Sequence, residues 1–331
     1  MAEKVLTGHG SGGRLMNELI DKVIKETLGP ESIQLDDAAI LSVKSQIAFT
    51  TDSFTVDPIF FPGGDIGKLA VNGTVNDLAV MGATPLYLSC ALILEEGLEM
   101  DVLKAILASM RQAAEYAGIE FVTGDTKVIE KGKADKVFIN TAGIGIFERP
   151  VQRRKIRPGD KVIINGFIGE HGVTIMAKRN NIFVQELLSD CAPLNHLIKK
   201  VTDACPEGVK FMRDATRGGV AAVLNEIVKK QSFAIKLDEE ALPIRDEVRG
   251  VCEMLGIDPL YVANEGKVVF IVAPECVQAV LSAMQEVEEG RQAVVIGEIT
   301  DEYPGQVYLE TSIGGKRPLP LLVAEQLPRI C

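Results

Sequence analysis

The sequence contains no apolar run approaching the roughly 20 residues needed to cross a bilayer, which excludes a membrane protein. Its six cysteines, at positions 90, 191, 205, 252, 276 and 331, include no CxxC pair, and no apolar leader opens the chain. The expectation is a reduced, cytoplasmic protein. Three histidines, His9, His171 and His196, show no metal-ligand spacing, so a zinc site is not expected. Basic charge is not in excess: 35 Lys and Arg stand against 46 Asp and Glu, a net charge of −11. Such a field repels a phosphate backbone, so no nucleic acid is expected as a partner, and a phosphorylated ligand needs a cation to bridge it to the carboxylates. No GxGxxG turn joins a strand to a helix, which disfavours a dinucleotide fold, and no GK[ST] follows the glycine-rich start, which excludes a Walker loop.

What is present is an ordinary folding composition, 47% apolar and 24% charged, in 331 residues, enough for two domains with their own cores. "IAFTTDSF", "PLYLSCALIL" and "VFINTAGIGIF" read as strands. "DIGKLAVNGTVNDLAVMGA" reads as a helix interrupted by Gly73, and "MDVLKAILASMRQAAEYAG" as an amphipathic helix stopped by Gly118. The turn-rich, basic "ERPVQRRKIRPGDK" marks a junction near residue 150. Strands and helices mix again beyond it. The fold class is α+β, with mixed sheets and helices in residues 1–149 and 150–315 and a flexible tail over 316–331. The tail carries Pro318, Pro320 and Pro328 and ends in "LPRIC" at Cys331. Extended at roughly 3.3 Å per residue, its last fourteen residues reach about 45 Å, enough to cross a domain.

Four acidic elements punctuate the first half: "LDDAAI" (Asp36, Asp37), "TTDSF" (Asp52), "VNDLAVMGA" (Asn76, Asp77) and "TGDTK" (Asp125, Thr126, Lys127). Hard cations such as Mg²⁺ take carboxylate oxygens together with phosphates, so aspartates converging on one edge suit a Mg–nucleotide site. Taken singly, each also reads as a turn or cap residue. "GHGSGG" (Gly10, Ser11, Gly12, Gly13) can cradle phosphate at a helix N-terminus, or be a flexible loop. "RDATRGGV" repeats that logic with Asp214, Arg217, Gly218 and Gly219, Arg217 being available as an anion clamp. His171 follows a strand among glycines, where ligands bind, and equally fits a surface turn. Lys127 and Glu265 fit either chemistry or a solvated surface.

In this order, "LDDAAI", "TTDSF", "NDLAVMGA", "TGDT" and "DATRGG" resemble the family of ATP-using synthetases related to aminoimidazole ribonucleotide synthetase, selenophosphate synthetase and thiamine-monophosphate kinase. "GHGSGGRLMNELI", "FIGEHG", "MRDATRGGVA" and "PRIC" resemble its hydrogenase-maturation branch. That resemblance implies a homodimer joined through the N-terminal sheets, using ATP and Mg²⁺. It implies that the carbamoyltransferase HypF loads Cys331, that the loaded thiol is dehydrated to a thiocyanate, and that the HypC–HypD complex takes the cyanide ligand onto iron. It also implies Asp36, Asp37, Asp52 and Asp77 as metal ligands, and Cys331, Lys127, Glu265 and His171 as catalytic residues. Gly10, Ser11, Gly12, Gly13, Asn76, Asp125, Thr126, Asp214, Arg217, Gly218 and Gly219 would hold the nucleotide, and Arg329 would dock the tail. Glu170 departs from the aspartate of the branch's pattern. A selenophosphate synthetase would need Cys or Sec followed by Lys in the glycine-rich start, and "GHGSGGRL" has neither. A thiol-bearing scaffold without catalysis gives no reason for the ordered aspartates.

Overall fold

The computed structural model describes residues 13–19, 39–42, 46–148, 154–323 and 329–331. The first part runs through helix α1 (Arg14–Leu19), strands β1 (Ala39–Ser42), β2 (Gln46–Phe54), β3 (Phe60–Phe61) and β4 (Gly64–Asp65), helix α2 (Ile66–Val80) and strand β5 (Thr84–Glu95). Helix α3 (Met100–Ala117), β6 (Glu120–Ile129) and β7 (Val137–Ile146) complete it. The main sheet has the order β1-β2-β7-β5-β6, with only β5 and β6 parallel, as α3 crosses over between them. Strand β2 alternates, turning Ala48, Thr50 and Phe54 inward. Helix α2 is buried on nearly every side, so apolar and small residues surround it without a stripe, and its buried Asn72, Thr74 and Asn76 are hydrogen-bonded. Asp65 caps it by accepting from the N–H groups of Gly67 (2.7 Å) and Lys68 (3.1 Å). The break expected at Gly73 does not occur, and the helix is continuous from Ile66 to Val80. Gly73 is there for space, since a Cβ would lie 2.9 Å from the Phe54 ring.

The second part comprises β8 (Lys161–Ile164), α4 (Glu170–Arg179), α5 (Asn195–Ala204), β9 (Val209–Asp214), α6 (Gly219–Val228), β10 (Ala234–Asp238) and α7 (Asp246–Leu255). It continues with β11 (Val268–Val272), α8 (Val277–Gln285), β12 (Val294–Thr300), β13 (Val307–Glu310) and β14 (Lys316–Pro318). The sheet order is β14-β13-β10-β12-β8-β11-β9. Strand β11, "VVFIV", is buried throughout because both its faces are covered. Val269 and Ile271 meet α6 residues such as Val220 and Leu224 in one core, while Val268, Phe270 and Val272 join Leu197 and Val280 in another. The stretch expected to lack structure from Lys316 opens as β14, paired antiparallel with β13, and Leu319 beyond it is fully buried.

The two parts share their cores. Ala79 and Val80 of α2 pack with Leu197, and Phe54 and Val71 belong to the same apolar cluster as Val173, Val248 and Ile330. Cys205, ending α5, and Cys276, in the turn before α8, come together with Cα atoms 6.1 Å apart, within the span of a disulfide, a pairing the sequence did not signal. Their separation of 71 residues carries no spacing signature.

Candidate active site

The site is built where β2, α2, the β9–α6 loop, segment 264–267 and the end of the chain meet. Asp52 reaches from β2 beside Gly73, whose missing Cβ leaves Oδ2 only 3.9 Å from where that atom would stand. Asp77 lies one turn further along α2 and accepts a 2.7 Å hydrogen bond from the Thr50 hydroxyl. Burial pushes the Asp52 carboxyl above the usual range, against the pull of Arg217 and the Ser53 N–H. Burial works against the charge of Arg217, but Cys331, Asp52, Glu265 and Asp77 together outweigh it and raise its pKa. Four groups distant in sequence therefore act on the one guanidinium of Arg217.

Glu265 forms its inner wall and is almost fully buried. Burial pushes its carboxyl well above the ordinary range, and Asp214, Asp190 and Asp52 add to the effect, opposed by Arg217. Its Oε1 has no hydrogen-bond partner among the described residues. The backbone beneath it is held tightly: Asp190 accepts from the N–H groups of Glu265 (3.0 Å) and Gly266 (3.2 Å). A side chain at Gly266 is impossible, because its Cβ would fall 1.9 Å from the Asp190 carbonyl oxygen. Lys267 neutralises Asp190 at 3.0 Å and reaches Glu170 at 3.6 Å, and Arg245 pairs with Glu170 at 2.9 Å. Glu170, the departure from pattern, thus belongs to a buried ion cluster behind the site.

The chain end enters this cleft. Residues Arg329–Cys331 lie between Thr55 and Asp57, just after β2, and His171 and Arg179 of α4. His171 is completely buried, which lowers its pKa, and its Nδ1 and Nε2 lie 2.8 Å from Ser189 Oγ and 2.9 Å from the Ile330 carbonyl oxygen. Ser189 Oγ already accepts from the Cys191 N–H, so its hydroxyl donates to Nδ1 and Nε2–H donates to Ile330. With both nitrogens engaged, His171 holds the Ile330 carbonyl. Arg329 donates to the Thr55 carbonyl and pairs with Asp135 at 2.6 Å.

Several expected residues are placed elsewhere. Gly10, Ser11, Gly12, Asp36 and Asp37 lie outside the described residues, so of the four expected metal ligands only Asp52 and Asp77 can be located. No group of three metal-binding side chains occurs among the described residues. Gly13 packs on the Leu322 carbonyl, 2.6 Å from where its Cβ would stand. Asp125 and Lys127 pair with each other at 2.9 Å on exposed β6. Asp125 aligns through Ala91 and Asn140 with Ser53, whereas Asp52 aligns with Thr141, which faces α2, so the two aspartates stand on opposite faces of the sheet. Thr126 lies between Asp125 and Lys127 on that strand. Gly218 and Gly219 take left-handed conformations; a Cβ at Gly219 would meet Val262 O at 2.5 Å, and its N–H bonds Thr216 O, so that donor is already used.

Asn76 was expected beside the phosphates and instead ties the domains together. Its amide donates to Ala192 O (3.1 Å) and its oxygen accepts from the Leu194 N–H (2.7 Å). Replacing it with alanine leaves both backbone groups buried and unpaired, at roughly 1–3 kcal/mol each. Thermal unfolding of Asn76→Ala should therefore show a midpoint lower by several degrees; an unchanged midpoint would contradict the tie. Asp190, Lys267, Thr55, Ser189 and Arg179 escaped sequence reading, because each acts through contacts distant in the chain.

This is the architecture of two-domain ATP-using synthetases. Residues 35–147 match the AIR synthase related protein N-terminal domain and residues 157–310 its C-terminal domain. The carbamoyl dehydratase HypE of Rhodobacter capsulatus is 48% identical, with 99% of this chain and 98% of that protein aligned. The Escherichia coli K12 carbamoyl dehydratase HypE is 46% identical, with 98% of each covered. The structure of HypE in complex with ATP superimposes with a TM-score of 0.82 at 45% identity, covering 99% of this chain and 100% of that one. A HypE–HypF complex gives 0.85 at 46%, covering 92% and 99%. The chain belongs to the HypE family of AIR synthase related proteins. No helix among the described residues is long and apolar enough to cross a membrane.

Proposed function

We propose that the chain is an ATP-dependent carbamoyl dehydratase whose substrate is an S-carbamoyl group on its own Cys331. The observation that supports this is the position of Cys331 within reach of the charge of Arg217, on which Asp52, Glu265 and Asp77 also act. A primary thiocarbamate does not lose water by itself, because its carbonyl oxygen is a poor leaving group. Transfer of the ATP γ-phosphoryl to that oxygen turns it into phosphate. Removal of the two N–H protons then forms C≡N as phosphate departs, so that S-carbamoylcysteine and ATP give S-cyanocysteine, ADP and phosphate.

Arg217 clamps the transferring phosphoryl group. Glu265, as carboxylate, takes an N–H proton, the burial that raises its pKa making it a stronger base than an exposed carboxylate. The oxygen donors of Asp52 and Asp77 suit Mg²⁺, and the burial that raises the Asp52 pKa is what a divalent cation there would offset. Bound between them, Mg²⁺ would neutralise phosphate charge. Asp190 and Lys267 hold Glu265 in place.

HypF supplies the carbamoyl group, as the HypE–HypF complex of a relative suggests. The HypC–HypD complex receives the cyanide for the iron of [NiFe]-hydrogenase, in the cytoplasm. Homodimer formation uses the outer face of the first sheet, where Phe49, Ile144 and Tyr87 form one exposed cross-strand row. Asp125 and Lys127 stand on that face too, so any part they take in catalysis is across the dimer.

With HypF, carbamoyl phosphate and MgATP, mass spectrometry of the last tryptic peptide should show a gain of about 43 Da, replaced by about 25 Da, the arithmetic masses of the carbamoyl and cyano adducts. ATP hydrolysis with no adduct on Cys331 would sink the proposal.

A further inference from the structure

The backbone brings Cys205 and Cys276 together through Gly208. The Gly208 N–H donates to the Cys205 carbonyl (3.2 Å), the Ala273 N–H to the Gly208 carbonyl (2.9 Å), and the Cys276 N–H to the Ala273 carbonyl (2.9 Å). These bonds set the two Cα atoms 6.1 Å apart, a distance a disulfide spans without backbone movement. Gly208 adds an independent sign. Its backbone is not left-handed, so no turn demands glycine there, yet a Cβ would collide with both Cys205 Sγ and Cys276 Sγ. Two sulfur atoms fill the space a side chain would take. Both cysteines are half-buried and flanked by exposed residues, Pro206 and Glu207 beside the one, Pro274 and Glu275 beside the other, so a small reagent can reach them. Elsewhere burial suppresses thiolate: it pushes the Cys90 thiol up to about 11, Cys252 to about 12 and Cys191 higher still.

We propose that Cys205 and Cys276 are a reversible dithiol–disulfide site, closed by exchange with low-molecular-weight disulfides and reopened by thiols. One cysteine, as thiolate, attacks a disulfide RSSR to give a mixed disulfide and one RS⁻, and the other then displaces the second RS⁻. Two protein thiols and RSSR thus become one Cys205–Cys276 disulfide and two RSH, which carry away the two protons and the two electrons. In a compartment kept reduced by thiols such a bond forms transiently and senses oxidant. The site is independent of the dehydratase reading: both cysteines pack against the core of Leu197, Val209 and Val280, apart from the cluster of Ile330 and Cys331. Closing it ties the C-terminal end of α5 to the turn before α8. The other end of α5 is already held to the first part, by the Leu194 N–H on Asn76 and the Asn195 amide on the Ala117 carbonyl (2.8 Å). Oxidation therefore clamps the helix that joins the two parts.

The experiment equilibrates the full chain in buffers of stepped glutathione to glutathione-disulfide ratio, quenches with acid, alkylates the remaining thiols and maps tryptic peptides by mass spectrometry. Peptides 201–210 and 268–291 should appear joined, about 2 Da below the sum of their masses, and separate again on reduction. At about 1 mM glutathione the joined pair should exceed glutathione adducts on either cysteine by at least roughly tenfold, because the second thiol is already in place. Gly208→Ala, whose methyl pushes the sulfurs apart, should need a roughly tenfold more oxidising ratio for the same closure. The bridge spans 71 residues, so the oxidised chain should melt about 5–10 °C above the reduced one, and Cys276→Ser should melt alike in both buffers. Glutathione adducts on both cysteines with no joined pair, or joining of either one to Cys331 instead, would overturn the proposal. So would equally ready closure of Gly208→Ala, or equal melting of the oxidised and reduced chain.

Discussion

Glu265→Gln is expected to lower the rate of thiocyanate formation by about 10²–10⁴-fold, the usual scale for removing a positioned general base, while leaving carbamoyl loading of Cys331 by HypF unchanged. The same substitution should stabilise the protein at neutral and alkaline pH. The Glu265 carboxyl is buried among Asp214, Asp190 and Asp52, and its pKa stands well above the ordinary 4.5. Between that value and its own elevated pKa, the folded chain keeps a proton that the unfolded chain has released. Stability therefore falls as pH rises through this window, by at most about 1.4 kcal/mol per pH unit. Glutamine occupies the same volume without titrating, so the variant lacks that slope. Its melting temperature should match the parent's near pH 4.5 and exceed it increasingly as pH rises above that value. Melting curves that stay parallel across the range would show that Glu265 is not held protonated. A full-speed Glu265→Gln enzyme would show that the proton goes elsewhere.

The sequence was most legible where a residue's role lies in its own neighbourhood. The alternation in "IAFTTDSF" marks β2. Asp52, Asp77, Asp214 and Arg217 stand in motifs and Glu265 was implied by the resemblance alone; in the fold Asp52, Asp77, Glu265 and Cys331 all act on the charge of Arg217. Reading failed where a role depends on contacts between distant segments. Asn76 adjoins Asp77 in one motif, yet successive helix positions face different directions, and its amide is spent on the backbone at 192 and 194. Asp125 and Lys127 share the motif pattern, but strand alternation turns Asp125 away from the face that carries Asp52. Asp190 sits in "LSDCAP" as an ordinary turn residue. Only the fold places it under a glutamate 75 residues away. Likewise, nothing around Cys205 or Cys276 signals that α5 and α8 bring them together.

Lys267→Met is expected to be the most destabilising single change near the site. The Lys267 ammonium, 9% exposed, lies between Asp190, 1% exposed, and Glu170, 12% exposed. Methionine matches its stem but carries no charge, leaving Asp190 a buried carboxylate that has lost its 3.0 Å salt-bridge partner and Glu170 with only Arg245. Breaking a buried pair from one side costs about 3–5 kcal/mol. At roughly 2–4 °C per kcal/mol for a unit of this size, the melting midpoint should fall by about 10 °C. Activity should fall further than stability alone requires, because Asp190 fixes the N–H groups of Glu265 and Gly266 and so the direction of the Glu265 side chain. Adding Asp190→Asn separates the two effects. The second substitution removes the uncompensated charge and should restore most of the melting temperature, while asparagine sets an NH2 donor against one of the two N–H groups, which now bond different oxygens of Asp190, so activity should stay low. If the double variant melts as low as Lys267→Met alone, the charge imbalance is not the cause. If it regains full activity, Asp190 has no part in positioning Glu265.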